Sequence, residues 1–248
     1  MAEIGLVLPT YNEAENLPGL VDRLQALPLP GDLWTVVVDD DSPDGTAEVV
    51  RHLASRYPGI SLLSRQGVRG LGSAIRDGLR SCLEEGCRYI VTMDADGSHD
   101  PTELTDLLHA ATSQEADLVT GSRYISGGRV KDWEWRRRLQ SRLANLMTRY
   151  LLGTPNESTT NYRVYGQSAA RIVVERSTAN HYEFQVESML LAISQRLKVV
   201  EVPITFIGRT EGESKLGVSQ VLKWGTFFLS ELAPFHLRRG KYARQVLA

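Results

Sequence analysis

Five short apolar runs, at residues 4–8, 35–38, 60–63, 89–93 and 117–120, alternate with segments of helical periodicity through the first 121 residues. A parallel neighbour can be reached only by a crossover of a dozen residues or more, so alternation of this kind means βαβ units. The expected fold is a mostly parallel sheet with helices on its faces. All strand carboxyl ends then share one edge, where ligands of open α/β sheets gather. Two of the runs end there in acids: Asp39-Asp40-Asp41 after Val38, and Asp94-Ala95-Asp96 after Met93. Carboxylates collected at one edge repel each other unless a cation sits among them, and a divalent ion bridging a diphosphate is such a cation. The two clusters point to metal-assisted chemistry on a nucleotide rather than to solvated turns.

Local signals fill in the elements. A helix from about Glu13 places Leu17, Leu20, Val21 and Leu24 on one stripe and ends at Pro28 and Pro30. Asp44 or Thr46 opens the next helix, a third covers residues 71–83, and Pro101 sits where a first-turn proline is tolerated. After Gly121 the character changes. A glycine-bearing stretch, 122–131, leads into a basic amphipathic helix with Leu139, Leu143, Leu146, Met147 and Tyr150 on one face. A polar loop at 153–161 follows, then a helix near 183–195, a strand at 199–206, a loop with Gly208, Gly212 and Gly217, and a final helix. The simplest partition is one domain, 1–248. Its nucleotide-binding half runs to 121 and its acceptor-binding half covers 122–217, with a terminal amphipathic helix and basic tail at 218–248.

A net charge of −2 gives no global attraction to nucleic acid, so anion binding has to come from local clusters. Arg123, Arg129, Lys131, Arg136, Arg137, Arg138, Arg142 and Arg149 crowd one stretch, and Arg238, Arg239, Lys241 and Arg244 another. Cys82 and Cys87 have neither CxxC spacing nor a zinc-like histidine partner, which fits a reducing cytosol. The amino terminus has no signal-peptide pattern, and no run approaches the roughly 18–20 apolar residues that span a bilayer.

At the acid-bearing edge, Tyr11 offers a ring and Glu13 a carboxylate to a nucleobase and ribose, and Asp40 can accept a ribose hydroxyl; helix caps and turn chemistry are the plain alternatives. Gly70-Leu71-Gly72 is a poor dinucleotide fingerprint and more simply permits close packing of the helix that follows. The Ser98 hydroxyl can complete a metal shell, and His99 reads as scaffold. Arg123, Arg209 and Lys215 lie in glycine-bearing loops, as a clamp for a second anionic substrate would.

Taken in order, the segments Leu8-Pro9-Thr10-Tyr11-Asn12-Glu13, Val38-Asp39-Asp40-Asp41-Ser42-Pro43-Asp44-Gly45, Met93-Asp94-Ala95-Asp96-Gly97-Ser98-His99, Gly121-Ser122-Arg123-Tyr124 and Glu213-Ser214-Lys215-Leu216-Gly217 resemble the dolichol-phosphate mannose synthase group of the family 2 glycosyltransferases, over residues 4–230. The resemblance implies a GT-A fold with a Rossmann-like front half, and transfer of a hexose from a nucleotide-diphosphate sugar, GDP-mannose, to polyprenyl phosphate with inversion. It implies that Pro9, Tyr11, Glu13 and Asp40 hold the nucleoside, with Gln185 and Glu187 near the sugar. Asp94, Asp96 and Ser98 would bind Mg²⁺ or Mn²⁺, and Arg123, Arg137, Arg209 and Lys215 would receive the acceptor phosphate. Asp94, Asp96 and Arg123 are the expected catalytic residues.

The chain departs from the group at Glu157-Ser158-Thr159-Thr160-Asn161-Tyr162-Arg163, where Asp and then Thr-x-Gly-Phe-Arg are usual. Asn161 is expected to supply the left-handed conformation that Gly would. Some members of the group carry added transmembrane helices. Here polyprenol is expected to be reached from the cytoplasmic face of a membrane, with Trp224, Phe227, Phe228, Leu229 and Leu232 of the last helix as the interfacial device, or with that helix packed on the sheet or on a membrane-embedded partner subunit. Alternatives are a UDP-sugar donor, a saccharide hydroxyl acceptor with Glu157 or Glu187 as base, and an inactive nucleotide-sugar-binding subunit.

Overall fold

Alternation within the strands divides the core between two faces of a sheet. In β1 (Ile4–Thr10), Ile4, Leu6 and Leu8 pack on one face and Val7 on the other. In β2 (Leu33–Asp39) Val37 joins the first set, while Val36 and Val38 join the second. The computed structural model describes residues 3–208 and 218–244. After β1 and α1 (Leu17–Gln25) come β2, α2 (Thr46–Arg56), β3 (Ile60–Ser64), α3 (Leu71–Glu85), β4 (Tyr89–Thr92), α4 (Leu104–Ser113) and β5 (Leu118–Ser122). The back half adds β6 (Arg129–Lys131), α5 (Trp135–Leu152), β7 (Arg163–Gly166), α6 (Gln167–Arg176), α7 (Phe184–Ser194), β8 (Val199–Pro203), β9 (Thr205–Ile207) and α8 (Val218–His236).

Among the described residues the main sheet has the order β3-β2-β1-β4-β7-β5-β8, and β7 runs antiparallel to both of its neighbours. Helices α1, α2 and α4 cover one face; α3, α6 and α7 cover the other, joined by Phe228 of α8. Helix α3 lies close on the strands because Gly78 has no side chain: a Cβ there would stand 2.3 Å from Val7 Cγ1.

Several expectations shift. The first helix starts at Leu17, not near Glu13, because residues 11–16 form a loop stitched to the next one. β7 and α6 arise in a stretch read only as a link between the polar loop and a later helix. The segment 199–206 is two strands, broken at Ile204, whose N–H donates to Ser122 O. The second of them leaves the main sheet to pair with β6 in a ribbon.

The final helix is not a free interfacial device. Phe228 is buried, Phe227 and Leu232 pack against the core, and Leu229 faces outward. Trp224's side chain lies outside the described residues. Among the described residues an apolar face is left exposed on α5, where Leu139, Leu143, Leu146, Met147 and Tyr150 all face solvent. Among the described residues no helix is long and apolar enough to cross a membrane.

Overpacking a rigid helix-on-strand contact costs about 1–3 kcal/mol. G78A is expected to lose stability in that range in urea denaturation, and an unchanged midpoint would contradict the close approach of α3 to β1.

Candidate functional site

Because β1, β2 and β4 are parallel, with Thr10 in register with Asp39 and Val7 with Thr92, their ends and the loops that follow meet at one edge. The acids there fall into distinct roles. Asp39 accepts from Thr10 Oγ1 at 3.2 Å and from Ser42 Oγ at 2.5 Å. Asp44 caps α2 through Thr46 N–H and also accepts from Ala14 N–H, so these two acids lock the loops. Asp40 is buried, with Arg65 Nε at 2.8 Å and Gly70 N at 2.8 Å on its two oxygens.

A cleft of about 320 Å³ opens beside them, lined by Pro9, Tyr11, Glu13, Asp40, Asp94 and Asp96. These six residues were all expected at a nucleotide–metal site. Arg69, Gly70, His181 and Tyr182 complete its walls, and the Arg69 guanidinium lies over the Tyr11 ring at 4.4 Å. Arg65, Arg69, His181 and Tyr182 went unnoticed in the sequence. Arg65 directly follows β3 at the same sheet edge, which is a usable signal. The segment at 180 reaches the cleft only through tertiary packing: Asn180 O accepts from Gly72 N–H, and a Cβ on Gly72 would lie 2.5 Å from Phe184 Cβ. The two glycines therefore serve close packing, as expected.

Asp96 Oδ1 accepts from Ser98 N–H at 2.9 Å, and Asp94 N–H donates to His99 Nδ1 at 3.3 Å. His99 is sealed against Tyr162, 4.9 Å between ring centroids, and burial holds it below the ordinary histidine value against the opposing fields of Asp94 and Asp96. It is a neutral scaffold residue. Ser98 Oγ is buried without a hydrogen-bond partner among the described residues, an orphan beside two carboxylates. Oxygen donors of this kind suit Mg²⁺ or Mn²⁺. Among the described residues no group of three or more His, Cys, Asp or Glu could hold a metal, so a divalent ion here would need oxygens from a ligand as well.

Gln185 and Glu187 are not in the cleft wall. Gln185 Nε2 donates to Asn161 Oδ1 at 3.0 Å, and Asn161 Nδ2 to Asp94 Oδ1 at 2.8 Å, so Gln185 reaches the acids through Asn161. Glu187, expected near the sugar, is instead fully buried among Ser177, Thr178, Ala179 N–H and Lys241. Burial would raise its pKa, but Lys241 and Ser177 outweigh that and hold the carboxylate ionised. Its place is to anchor the segment that walls the cleft, and Lys241, grouped by sequence with a basic tail, is half-buried against it. Asn161 also differs from expectation. Among the described residues its φ is not one of the positive ones, so the departure from Gly serves the side chain rather than a left-handed backbone.

A second cleft, of about 550 Å³, lies between α5 and the stretch leading to β6, lined by Arg123, Arg129, Arg138, Arg142 and Arg149 with Leu143 and Leu146. Arg137 does not line it; one step along the helix, Arg138 does, together with Arg142 one turn on. Arg129, Arg138 and Arg142 have no carboxylate partner among the described residues. Arg123 is different. Its guanidinium grips Glu157 bidentately at 2.7 and 2.9 Å, both side chains nearly sealed from water. Asn145 of α5 adds a hydrogen bond to Glu157 and fixes Ser158 N–H. Burial alone would raise the Glu157 pKa, but Arg123 and Thr159 overrule it and hold the carboxyl below the usual glutamate range. Arg209 and Lys215, expected in the acceptor clamp, lie outside the described residues.

Residues 6–172 match the family model described as glycosyl transferase family 2. The polyprenol monophosphomannose synthase of Mycolicibacterium smegmatis is 41% identical over 231 residues, 89% of this chain and 86% of that protein. The undecaprenyl-phosphate mannosyltransferase of Micrococcus luteus is 38% identical, over 88% of this chain and 92% of that protein. Among solved structures, the Mycobacterium tuberculosis glucosyl-3-phosphoglycerate synthase in complex with Mn²⁺, UDP-glucose and phosphoglyceric acid superposes with a TM-score of 0.66 at 18% identity, covering 94% of this chain and 79% of that one. The fold is GT-A, with a mostly parallel central sheet flanked by helices.

Glu157 has a depressed pKa in the folded protein, so its stabilisation is complete above the unfolded value of 4.5 and is lost as pH falls through the folded value. Breaking a buried pair by removing one charge costs about 3–5 kcal/mol. E157Q is expected to lose that much at pH 7 by urea denaturation, with the gap to wild type closing as pH falls through the depressed folded value of Glu157. A pH-independent gap would contradict the ion pair.

Proposed function

This chain belongs to glycosyl transferase family 2, and from that premise we propose that it moves mannose from GDP-mannose to the phosphate of a polyprenyl lipid, inverting the anomeric carbon. That it is a glycosyltransferase follows from the family; the donor, the acceptor and the roles of individual residues are the proposal. Relatives at 38% and 41% identity bearing the names of polyprenyl-phosphate mannose transferases support the lipid acceptor and the sugar.

The observation that carries the reading is the neighbourhood of two clefts of opposite charge. The loop at 153–161 touches both: Asn161 bonds to Asp94 of the acidic cleft, and Glu157 pairs with Arg123 of the basic one. Four residues of extended chain span at most about 14 Å. A nucleotide sugar seated at Pro9, Tyr11, Glu13 and Asp40 would direct its diphosphate toward Asp94 and Asp96. A phosphate held by Arg138, Arg142 and Arg129 would approach from the other side.

Asp94 and Asp96, with Ser98 beside them, are the residues that would hold Mg²⁺ or Mn²⁺, whose chemistry is to neutralise charge gathering on the departing diphosphate. The fold neighbour's complex with Mn²⁺ supports divalent metal use in this fold. An acceptor phosphate oxygen forms the new bond to the anomeric carbon as the bond to the donor diphosphate breaks, and the electron pair leaves with the diphosphate. A phosphate monoester with a second pKa near ~6 is already ionised at neutral pH, so arginines that orient it replace a base. That removes the need which a saccharide hydroxyl would impose. Glu157 and Glu187, the two candidate bases, are both fully buried and each held by a cation.

The lipid would be met at α5. Leu143, Leu146 and Tyr150 are 49%, 51% and 77% exposed, and arginines of the same helix flank the cleft that Leu143 and Leu146 help line. Apolar side chains beside arginines are the pattern of a helix lying in a lipid headgroup layer. We therefore place the protein at the cytoplasmic face of a membrane, without nucleic acid as a partner.

A donor panel with polyprenyl phosphate and Mn²⁺, following labelled sugar into the organic phase, is expected to select GDP-mannose, and D96A to lose about 10²–10³-fold in turnover. Preference for a UDP-sugar, or transfer only to a free saccharide, would overturn the reading. Exposed leucines gain about 1.5–3 kcal/mol each on burial, so L143D with L146D is expected to cut co-flotation with phosphatidylglycerol vesicles by more than about tenfold. Unchanged flotation would remove α5 as the docking face.

A further inference from the structure

We infer that Asn161 is a positioning residue for Asp94, held in its working orientation by Gln185. The inference rests on the reading of Asp94 as part of the metal and diphosphate site. An ionised carboxylate only accepts hydrogen bonds, so the group facing Asp94 Oδ1 at 2.8 Å has to be the amide nitrogen of Asn161. That choice turns Asn161 Oδ1 away from Asp94, toward Gln185, where it takes a hydrogen bond from Nε2 at 3.0 Å. The charge on Asp94 thus dictates the direction of two successive amides.

The far end of the relay records the same constraint. Gln185 Oε1 is buried without a hydrogen-bond partner among the described residues, although rotating the amide would exchange its oxygen and nitrogen. Rotation would set two amide oxygens face to face at Asn161, or, if Asn161 turned as well, an oxygen against the carboxylate. The orphan oxygen is tolerated because the nitrogen is needed on Asn161.

Both backbones are fixed independently of the relay. Thr92 Oγ1 donates to Asn161 O at 2.7 Å, and the buried Arg163 guanidinium donates to Gln185 O at 2.8 Å. Asn161 is itself nearly sealed, 4% exposed, so its side chain has no solvent-facing alternative. Asp94 is therefore held in one orientation before any cation arrives. This accounts for an asparagine whose backbone needs no special conformation.

Groups that orient a metal-binding side chain typically contribute about 10–100-fold in metal affinity. Mn²⁺ titrations of the full chain, alone and with GDP, followed by the EPR signal of the free ion, test the relay without reference to turnover. N161A is expected to raise the Mn²⁺ dissociation constant by about 10–100-fold, and Q185M, which leaves Asn161 in place, by a smaller factor of about 3–10. S188A removes a bond from Arg163 and one to the Gln185 carbonyl, which Arg163 still holds, but touches neither side-chain amide of the relay, and is expected to bind Mn²⁺ as wild type does. In assays, N161A should regain most of its turnover at saturating Mn²⁺, so the loss falls on the metal's KM rather than on kcat.

If N161A folds poorly, Q185M decides the matter, with thermal unfolding in the absence of metal as the control for stability. Wild-type Mn²⁺ affinity in both N161A and Q185M overturns the inference while leaving Asp94 as a ligand. Wild-type affinity in D94A overturns the metal reading itself, and the inference with it.

Discussion

The buried pair between Arg123 and Glu157 is the contact on which the rest of the site depends. It closes the end of β5 onto the loop at 153–161, and Asn145 ties the same loop to α5. Three pieces that diverge in sequence are held there: the strand that ends at the sheet edge, the loop that reaches Asp94, and the helix that carries the arginines of the second cleft. A charge pair this deeply buried is weak as a net source of stability, because desolvation offsets most of its attraction, but it is costly to break. Its consequence is geometric: the acidic and basic clefts cannot drift apart without exposing or orphaning a charge.

A second consequence is that side chains of one type divide into different tasks according to what faces them. Asp39 and Asp44 spend their oxygens on neighbouring backbone and hydroxyl donors and so fix loop shape. Asp40 is neutralised by Arg65, yet still lines the cleft. Asp94 and Asp96 sit at the end of β4, with an asparagine amide and a serine N–H on them. Arg123 is spent on Glu157, while Arg129, Arg138 and Arg142 are not matched by carboxylates among the described residues. Charge type alone does not separate these roles; the partner does.

That division marks the limit of what could be read from the chain. The front half was legible because each strand and helix announces itself within a short window and parallel pairing then carries the strand ends to one edge, which is why Pro9, Tyr11, Glu13, Asp40, Asp94 and Asp96 were found together. The back half was less so. β7 is four residues of mixed character whose pairing partners are more than forty residues away, and the segment at 199–206 changes sheets at Ile204, a break that Pro203 just before it could have signalled. Arg137 was chosen where Arg138 lines the cleft, a one-residue error that is about 100° of helix phase. Glu187 was expected near the sugar from the resemblance alone, but helical phase sends its carboxylate to Lys241. Asn161 was read for its backbone, whereas its contribution is an amide aimed at Asp94.

The fate of the two glutamates bears on the chemistry of the acceptor. A hydroxyl nucleophile requires a base that can be neutralised by the proton it removes, and a carboxylate fit for that has to be reachable and not already matched by a cation. Glu157 and Glu187 fail on both counts: each is fully buried, and each is held below the ordinary glutamate range by a positive side chain against the opposing pull of burial. Protonating either would strand its partner, the buried Arg123 or the half-buried Lys241. An acceptor that arrives already ionised escapes this difficulty, and it converts the arginines of the second cleft from a solubility feature into the means of holding the nucleophile. The same arginines lie under an exposed apolar helix face, so the acceptor that fits both is anionic at one end and greasy at the other.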